Sequence, residues 1–445
     1  MGIEDYKEPI EVIRISQRGK TFYIGKMVFA DFEDSYTPSP AEYKLNSYRQ
    51  FATDDERFED LSTGVDEYLK KEKDPIAKGF QRGIDKRRTE QIKNYILENE
   101  YGIIPNSIIV SVNTLEIDSR EDFEATLNDP NNKKAILFDN RLYVPKVGKP
   151  FLIIDGQHRV EGWKKLTDGI KKEIELIFTF INNADPSTQA QLFTTINYQV
   201  KPVNKSYLYQ ILGEFKIESS EYTFLHEIVK LFNEFPRSPL YDRVKMLGKQ
   251  TSLHNSLSQA FLVETLYLLL YPKFKAAKTL SSEKDLVKLP IFRYHYLNKD
   301  YRKEIPKFIL MYLTAVRSKV EESGISWENK NDHILLKTIG MGGLINIIPN
   351  VYISLVVKKG LIREQQTISE KIKMKDISDM IVNMTKINIK NEPENEYSKG
   401  SSQGLVTKFA KKLWSELVSD VPAFVEMHKS YIEWFNSVVV EKKGN

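Results

Sequence analysis

Cysteine is missing from all 445 residues, which excludes disulfides, thiolate metal sites and a cysteine nucleophile and fits a reducing cytoplasm. Histidine is scarce: His158, His226, His254, His295, His333 and His428 are the full set, no two at the i, i+4 spacing of a helical metal site, so zinc is not expected. No apolar run follows Met1, where Glu4 and Asp5 are acidic, and a signal peptide is not expected. The most apolar later run, Ala260 to Tyr271, contains Glu264 and is too short to span a bilayer, so it reads as a core helix. Neither a Walker lysine loop nor a strand-borne serine elbow is read from the sequence, and no helix-turn-helix signature stands out. The net charge of +4 is too small to argue for nucleic acid on global grounds.

What is present is a chain long enough for two or three domains, with the apolar content of a soluble globular protein. Its most informative stretch is Phe151 to Lys165, FLIIDGQHRVEGWKK. Phe151 to Ile154 read as a short buried strand, and Val160, Trp163, Leu166 and Thr167 recur at helical spacing. Asp155-Gly156 joins the two: Gly156 permits a tight turn and Asp155 is a competent N-cap, which puts free N–H groups beside Gln157, His158 and Arg159, an arrangement suited to an anion. At about 100° per residue, Arg159 falls at the edge of the apolar face, while His158, Glu161 and Lys165 lie opposite. A guanidinium there needs a carboxylate, a carbonyl or a phosphate, because burying it unpaired costs several kcal/mol. An internal ion pair among Asp155, Arg159 and Glu161 and an anion site both satisfy that demand.

Asp155-Gly156-Gln157-His158-Arg159 resembles the motif that names the DGQHR family, whose best-known members are DndB-type proteins associated with DNA phosphorothioate modification. That family in turn resembles the ParB/sulfiredoxin nucleotide-binding superfamily, in which a strand-turn-helix meets nucleotide phosphates. Two further segments carry the resemblance. Gly79 to Arg88 followed by Thr89 to Leu97 looks like the family's arginine-bearing helix that closes over the nucleotide, with Ile84, Ile92, Tyr95 and Ile96 marking an inner face and a strand, Ser107 to Val112, after Pro105. Phe193 to Asn197, then Gln199 and Lys201-Pro202, resembles the segment that follows the motif. The resemblance implies Gln81, Arg82 and Arg88, together with Gly156, Gln157, His158, Arg159, Asn197, Gln199 and Lys201, as nucleotide or phosphate ligands. Asp155, His158 and Glu161 would be the catalytic groups, with ATP or another triphosphate as cofactor, Mg²⁺ optional and the metal ligands unassigned.

The fold expected is α+β: a ParB/sulfiredoxin-like domain over 1–205 with a small mixed sheet, an all-α domain over 206–390, and a linker with a terminal helix over 391–445, where NEPENEYSKGSSQG has linker composition. Ile10 to Ala30 reads as a hairpin broken at Gln17 to Lys20, Ala135 to Phe138 with Leu142 to Pro145 as a second, and the acidic Asp118 to Asn132 as an insertion. Asp185 is expected to cap a helix that begins at Pro186. Lys70 to Lys93 holds nine basic residues against four acidic ones, and Arg237, Arg243, Lys245 and Lys249 form a second basic cluster. A solvated helix face or a phosphate-facing surface accounts for either run.

Three functions follow from these expectations: an NTPase in a DNA-modification or defence system, a non-catalytic DNA-binding transcriptional regulator, or a ParB-like nuclease. The partners expected are a nucleotide, DNA and proteins of a modification system, with homo-oligomerisation open and no membrane.

Overall fold

The computed structural model describes residues 3–37, 61–70, 84–198, 204–214, 221–271, 280–418, 421 and 423–440. These divide into two compact units, the second of which takes residues 61–70 as well as 204–213 and all described residues from 221 onward.

In the first unit, β1 (Ile10–Gln17) and β2 (Lys20–Val28) form the expected hairpin, turned by Arg18 and Gly19 at φ +49° and +76°. Positive φ at both corner residues matches the twist of the flanking strands. Next come α1 (Phe29–Glu33), β3 (Tyr36–Thr37) and, in the second unit, α2 (Leu61–Lys70). The first unit resumes with α3 (Lys86–Glu98), β4 (Ile108–Val112), β5 (Thr114–Glu116), α4 (Arg120–Leu127), β6 (Ala135–Phe138), β7 (Arg141–Tyr143) and β8 (Phe151–Asp155). It closes with α5 (Gln157–Trp163), α6 (Asp168–Glu173), β9 (Glu175–Asn182) and α7 (Pro186–Tyr198). Asp185 caps α7 as expected, accepting from Thr188 N at 3.0 Å.

The sheet is mixed, as the sequence suggests, but it is not small. Nine strands run in the order β3-β8-β4-β9-β2-β1-β7-β6-β5, with β3/β8, β4/β9 and β5/β6 parallel. Three of these strands are only two or three residues long; β7 is the second arm of the expected hairpin, whereas β3 and β5 exist through their neighbours and no local alternation announced them. The buried core is aromatic at its centre, where Phe32, Phe151, Phe178 and Phe180 follow one another at ring separations of 5.4 to 5.7 Å. Gly25, paired with Phe178, makes room for that ring: a Cβ would lie 3.0 Å from it. The acidic stretch read as an insertion is α4, whose Phe123 and Leu127 pack on Ile136 and Tyr143 in a satellite core.

Among the described residues the second unit is helical apart from one short parallel pair. Its elements are α2, α8 (Lys205–Glu214), α9 (Glu221–Glu234), β10 (Val244–Lys245) paired with β11 (Leu257–Ser258), α10 (Gln259–Leu270), α11 (Arg293–Leu297) and α12 (Glu304–Glu322). After these come α13 (Thr338–Asn346), α14 (Ile348–Lys358), α15 (Ile368–Lys371), α16 (Met374–Met380), α17 (Gln403–Leu417) and α18 (Phe424–Phe435). Thr338–Lys358 is long and apolar enough to cross a membrane, yet 94% of its apolar 18-residue stretch is buried within the protein. Gly342 and Gly343 bring α13 close to α17, for a Cβ on Gly342 would lie 2.7 Å from Val406 and one on Gly343 would strike Phe409.

Two features depart from the composition-based domain reading. Asn391 to Gly404 is not a bare linker: Asn395 and Tyr397 are buried, and the Asn395 amide donates to the carbonyls of Asn388 and Lys390 at 3.2 and 2.8 Å. Helix α2 joins the second unit through a 2.7 Å ion pair from Lys307 to Asp66 and a 2.7 Å bond from the Tyr68 hydroxyl to Glu234. Lys307 and Glu234 are almost wholly buried, so the bonds from α2 offset part of the cost of burying them.

His295 and His428 are also buried in this unit, and desolvation pushes both imidazoles down to about 4. The folded unit therefore binds fewer protons than the unfolded chain, whose histidines titrate near 6.5, and stability falls as the pH drops from about 6.5 to 4. Urea titrations across that range should show a loss of roughly 3 kcal/mol per histidine, and His428→Gln should flatten the profile.

Candidate functional site

The pentapeptide sits where strand β8 gives way to α5. Asp155 is the last strand residue and not the helix cap; that position belongs to Gly156, at φ +102°. Only glycine fits there, both for its φ and because a Cβ would lie 2.6 Å from Ile108 Cδ1 and 3.0 Å from Arg159 Nη2. Helix α5 is shorter than the periodicity suggests, ending at Trp163, although Val160, Trp163 and Leu166 are buried as predicted.

Freed from capping, Asp155 turns to Arg159. Its Oδ2 accepts from Nη2 at 3.0 Å, and Nη1 donates to the carbonyl of Asn106 at 2.6 Å. The guanidinium side chain is 16% exposed. Burial lowers the Arg159 pKa, Asp155 opposes that shift, and the charge of Arg88 lowers it further. Of the partners a buried arginine needs, the chain itself provides a carboxylate and a carbonyl.

His158 faces α3. Its Nε2 accepts from the backbone N–H of Asp85 at 3.3 Å, which places the ring proton on Nδ1 in this arrangement. Asp85 is the cap of α3, with Oδ1 accepting from Arg87 N and Arg88 N at 3.0 and 3.3 Å. Gly162 lets the two helices approach, since a Cβ there would lie 2.7 Å from Ile92 Cγ2 and 3.1 Å from the Thr89 carbonyl. Glu90 bonds to Lys165 of the α5 end at 2.9 Å and to Lys93 at 2.9 Å, and those lysines hold its carboxyl below the usual range. Ile84, expected on the inner face, precedes the helix and is exposed; Tyr95 is exposed as well.

Glu161 points elsewhere. It accepts from the buried Tyr36 hydroxyl at 2.5 Å and lies 3.4 Å from Lys164, whose ammonium sits 4.6 Å from the Tyr36 ring centre. Burial, then the Glu161 contact, pushes the Tyr36 phenol upward. The motif thus brings Asp155, Arg159 and His158 together with the Arg88 end of α3, and sends Glu161 toward β3. Gln157, half-buried, opens the helix. Gln81, Arg82, Gln199 and Lys201 lie outside the described residues, as does the side chain of Asn197 in α7.

Asp85, Asn106 and Tyr36 complete this site and were not anticipated. Asp85 alone carried a sequence signal, an acidic cap one residue before a helix. A further pattern, Gly400-Ser401-Ser402-Gln403-Gly404, has the spacing of a hydrolase elbow, but no strand precedes it, and Ser402 Oγ caps α17 by accepting from Leu405 N at 3.4 Å.

The exposed side of the site is cationic. Lys86, Arg87 and Arg88 occupy the first turn of α3 and are exposed, at the helix end where the backbone already presents partial positive charge. Each cation so placed costs about 0.3–1 kcal/mol, a cost an incoming anion would offset.

A family model described as DndB, DNA-sulfur modification-associated, matches residues 11–344. No curated protein and no solved structure matches this chain.

Two substitutions separate the turn from its surroundings. Gly156→Ala should destabilise the first unit by about 1–3 kcal/mol through positive φ and the Ile108 clash, whereas Gly169→Ala, with nothing within 4 Å, should stay within about 0.5 kcal/mol. Asp155→Ala, which leaves the guanidinium the Asn106 carbonyl but no carboxylate, should cost about 2 kcal/mol after allowance for partial exposure. Chemical denaturation of the full chain measures all three.

Proposed function

Because the chain belongs to the DndB family of DNA-sulfur modification-associated proteins, we propose that it is a DNA-binding regulatory component of a DNA phosphorothioation system, acting without catalysis. The observation that carries this reading is the cationic first turn of α3, where Lys86, Arg87 and Arg88 stand at the positive end of a 13-residue helix with Arg159 behind them. Backbone phosphates are the anions that such an edge meets in a DNA-directed protein, and they bind through charge, without needing a closed pocket. Under this reading the pentapeptide is a brace: His158 and Glu90 hold α3 against α5, and Asp155 keeps Arg159 ordered. Protein partners within the modification system and a cytoplasmic setting belong to the same reading.

A nucleotide-hydrolysing reading, with ATP and Mg²⁺ at the motif, is the competitor. What supports the regulator over it is that Asp155 and the Asn106 carbonyl already occupy two donors of Arg159, while Glu161 is engaged with Tyr36. A triphosphate would have to displace Asp155 before it could use Arg159 fully.

Fluorescence anisotropy on duplex DNA across a salt series tests the proposal. Wild type should bind with a steep log K against log salt slope, and the Arg87→Ala/Arg88→Ala double variant should lessen that slope by roughly 1.8, about 0.9 for each phosphate contact. An unchanged slope would count against this edge as the contact. Calorimetry with ATP, GTP and CTP, with and without Mg²⁺, should give no heat; binding heat abolished by Arg159→Ala would replace the regulator with the nucleotide reading.

A further inference from the structure

The second basic cluster of the sequence does not form one surface. Arg243 is buried, 3% exposed at its side chain, and ion-paired to Glu328. Lys249 is exposed in the loop that leads from β10 to β11, and Lys245, half-buried, is the last residue of β10. That loop is rigidly braced. Asn255, itself buried, accepts through Oδ1 from Thr251 N, Thr251 Oγ1 and Ser252 N at 2.9 to 3.1 Å and donates through Nδ2 to the Asp242 carbonyl at 2.8 Å. Ser252 Oγ donates to Asp242 Oδ2 at 2.6 Å and accepts from His254 N at 3.1 Å. Lys330 reaches in from another segment to bond the carbonyls of Leu253 and Asn255.

At the tip of this braced loop Leu253 is 85% exposed, more than any other large apolar side chain among the described residues. A lone exposed leucine is ordinary on a surface. This one is different in that both neighbours, Ser252 and His254, and its own carbonyl are pinned, so the backbone that presents the side chain is held in place. Its flanks, Lys249, Gln250, Thr251 and His254, are polar or basic, and the carboxylate of Asp242 at the loop's base is taken up by Ser252 Oγ and Asn255 Nδ2. A protein partner would call for a broader apolar patch around the leucine. One apolar tooth with cations at its base fits a nucleic-acid groove, where an inserted leucine partly unstacks a base step while lysines take the adjoining phosphates.

We propose that Leu253 is a wedge that enters a groove of duplex DNA, with Lys249 and Lys245 on the flanking phosphates. The proposal rests on the DNA-binding reading above and adds a second contact and a bend to it. The full chain is mixed with a short duplex labelled at both ends, so that anisotropy gives affinity and energy transfer gives bending. Leu253→Ala should weaken binding about tenfold, the scale of one lost apolar side chain, abolish the bend and leave the salt slope unchanged. Leu253→Met should restore both affinity and bend, and Lys249→Ala should lower the slope by about 0.9. An unaltered melting temperature checks that the exposed site can be changed without loss of fold. If Leu253→Ala binds and bends DNA as wild type does while Arg87→Ala/Arg88→Ala weakens binding, the wedge is overturned and the DNA reading stands. If Leu253→Ala changes only self-association, the tip is a protein contact and the wedge is likewise overturned. If wild type binds no duplex at all, both fall together.

Discussion

The first unit depends on what becomes of one guanidinium. Arg159 is carried into a largely dry position by the helix that packs Val160 and Trp163 into the core, and its charge is met there by Asp155, four residues away across a left-handed turn. Gly156 makes that meeting geometrically available. The turn, the pair and the helix are therefore one cooperative feature, and the three residues between Asp155 and Arg159 have their directions set by it. His158 reaches the cap of α3, so the placement of the basic first turn follows from the same constraint.

Much of this was readable from the residues. Strand β8, the apolar face of α5, the two hairpins, the α7 cap and the need of Arg159 for a partner all follow from spacing and chemistry. The choice between an internal partner and an external anion did not follow, because it turns on whether Asp155 caps the helix or crosses the turn, and that depends on Gly156 adopting positive φ against Ile108, a residue distant in sequence. Asn106 was silent for a related reason: its carbonyl, not its side chain, is the ligand. Tyr36 meets Glu161 through the parallel pairing of a two-residue strand, too short to leave a pattern.

In the second unit Gly342 and Gly343 of α13 are points of close helix approach. The polar stretch before α17 misled by composition. Asparagine counts as loop-like in a tally, yet Asn395 satisfies two carbonyls and Tyr397 packs 4.9 Å from Phe409, so these two residues anchor the stretch. Helix α2 was missed because its justification lies at Glu234 and Lys307, far along the chain, and because ten residues with a glycine among them promise little on their own.

That helix has a practical corollary for anyone dissecting the molecule. The chain leaves its first unit, lends ten residues to the second and comes back, so a single cut near residue 205 yields no self-sufficient half. The amino-terminal fragment would carry a helix parted from Lys307 and Glu234, and the carboxy-terminal one would inherit a buried lysine missing its aspartate and a buried glutamate missing its tyrosine. Two-piece expression becomes sensible only when the borrowed segment travels with the helical unit, by fusion or by supplying it in trans.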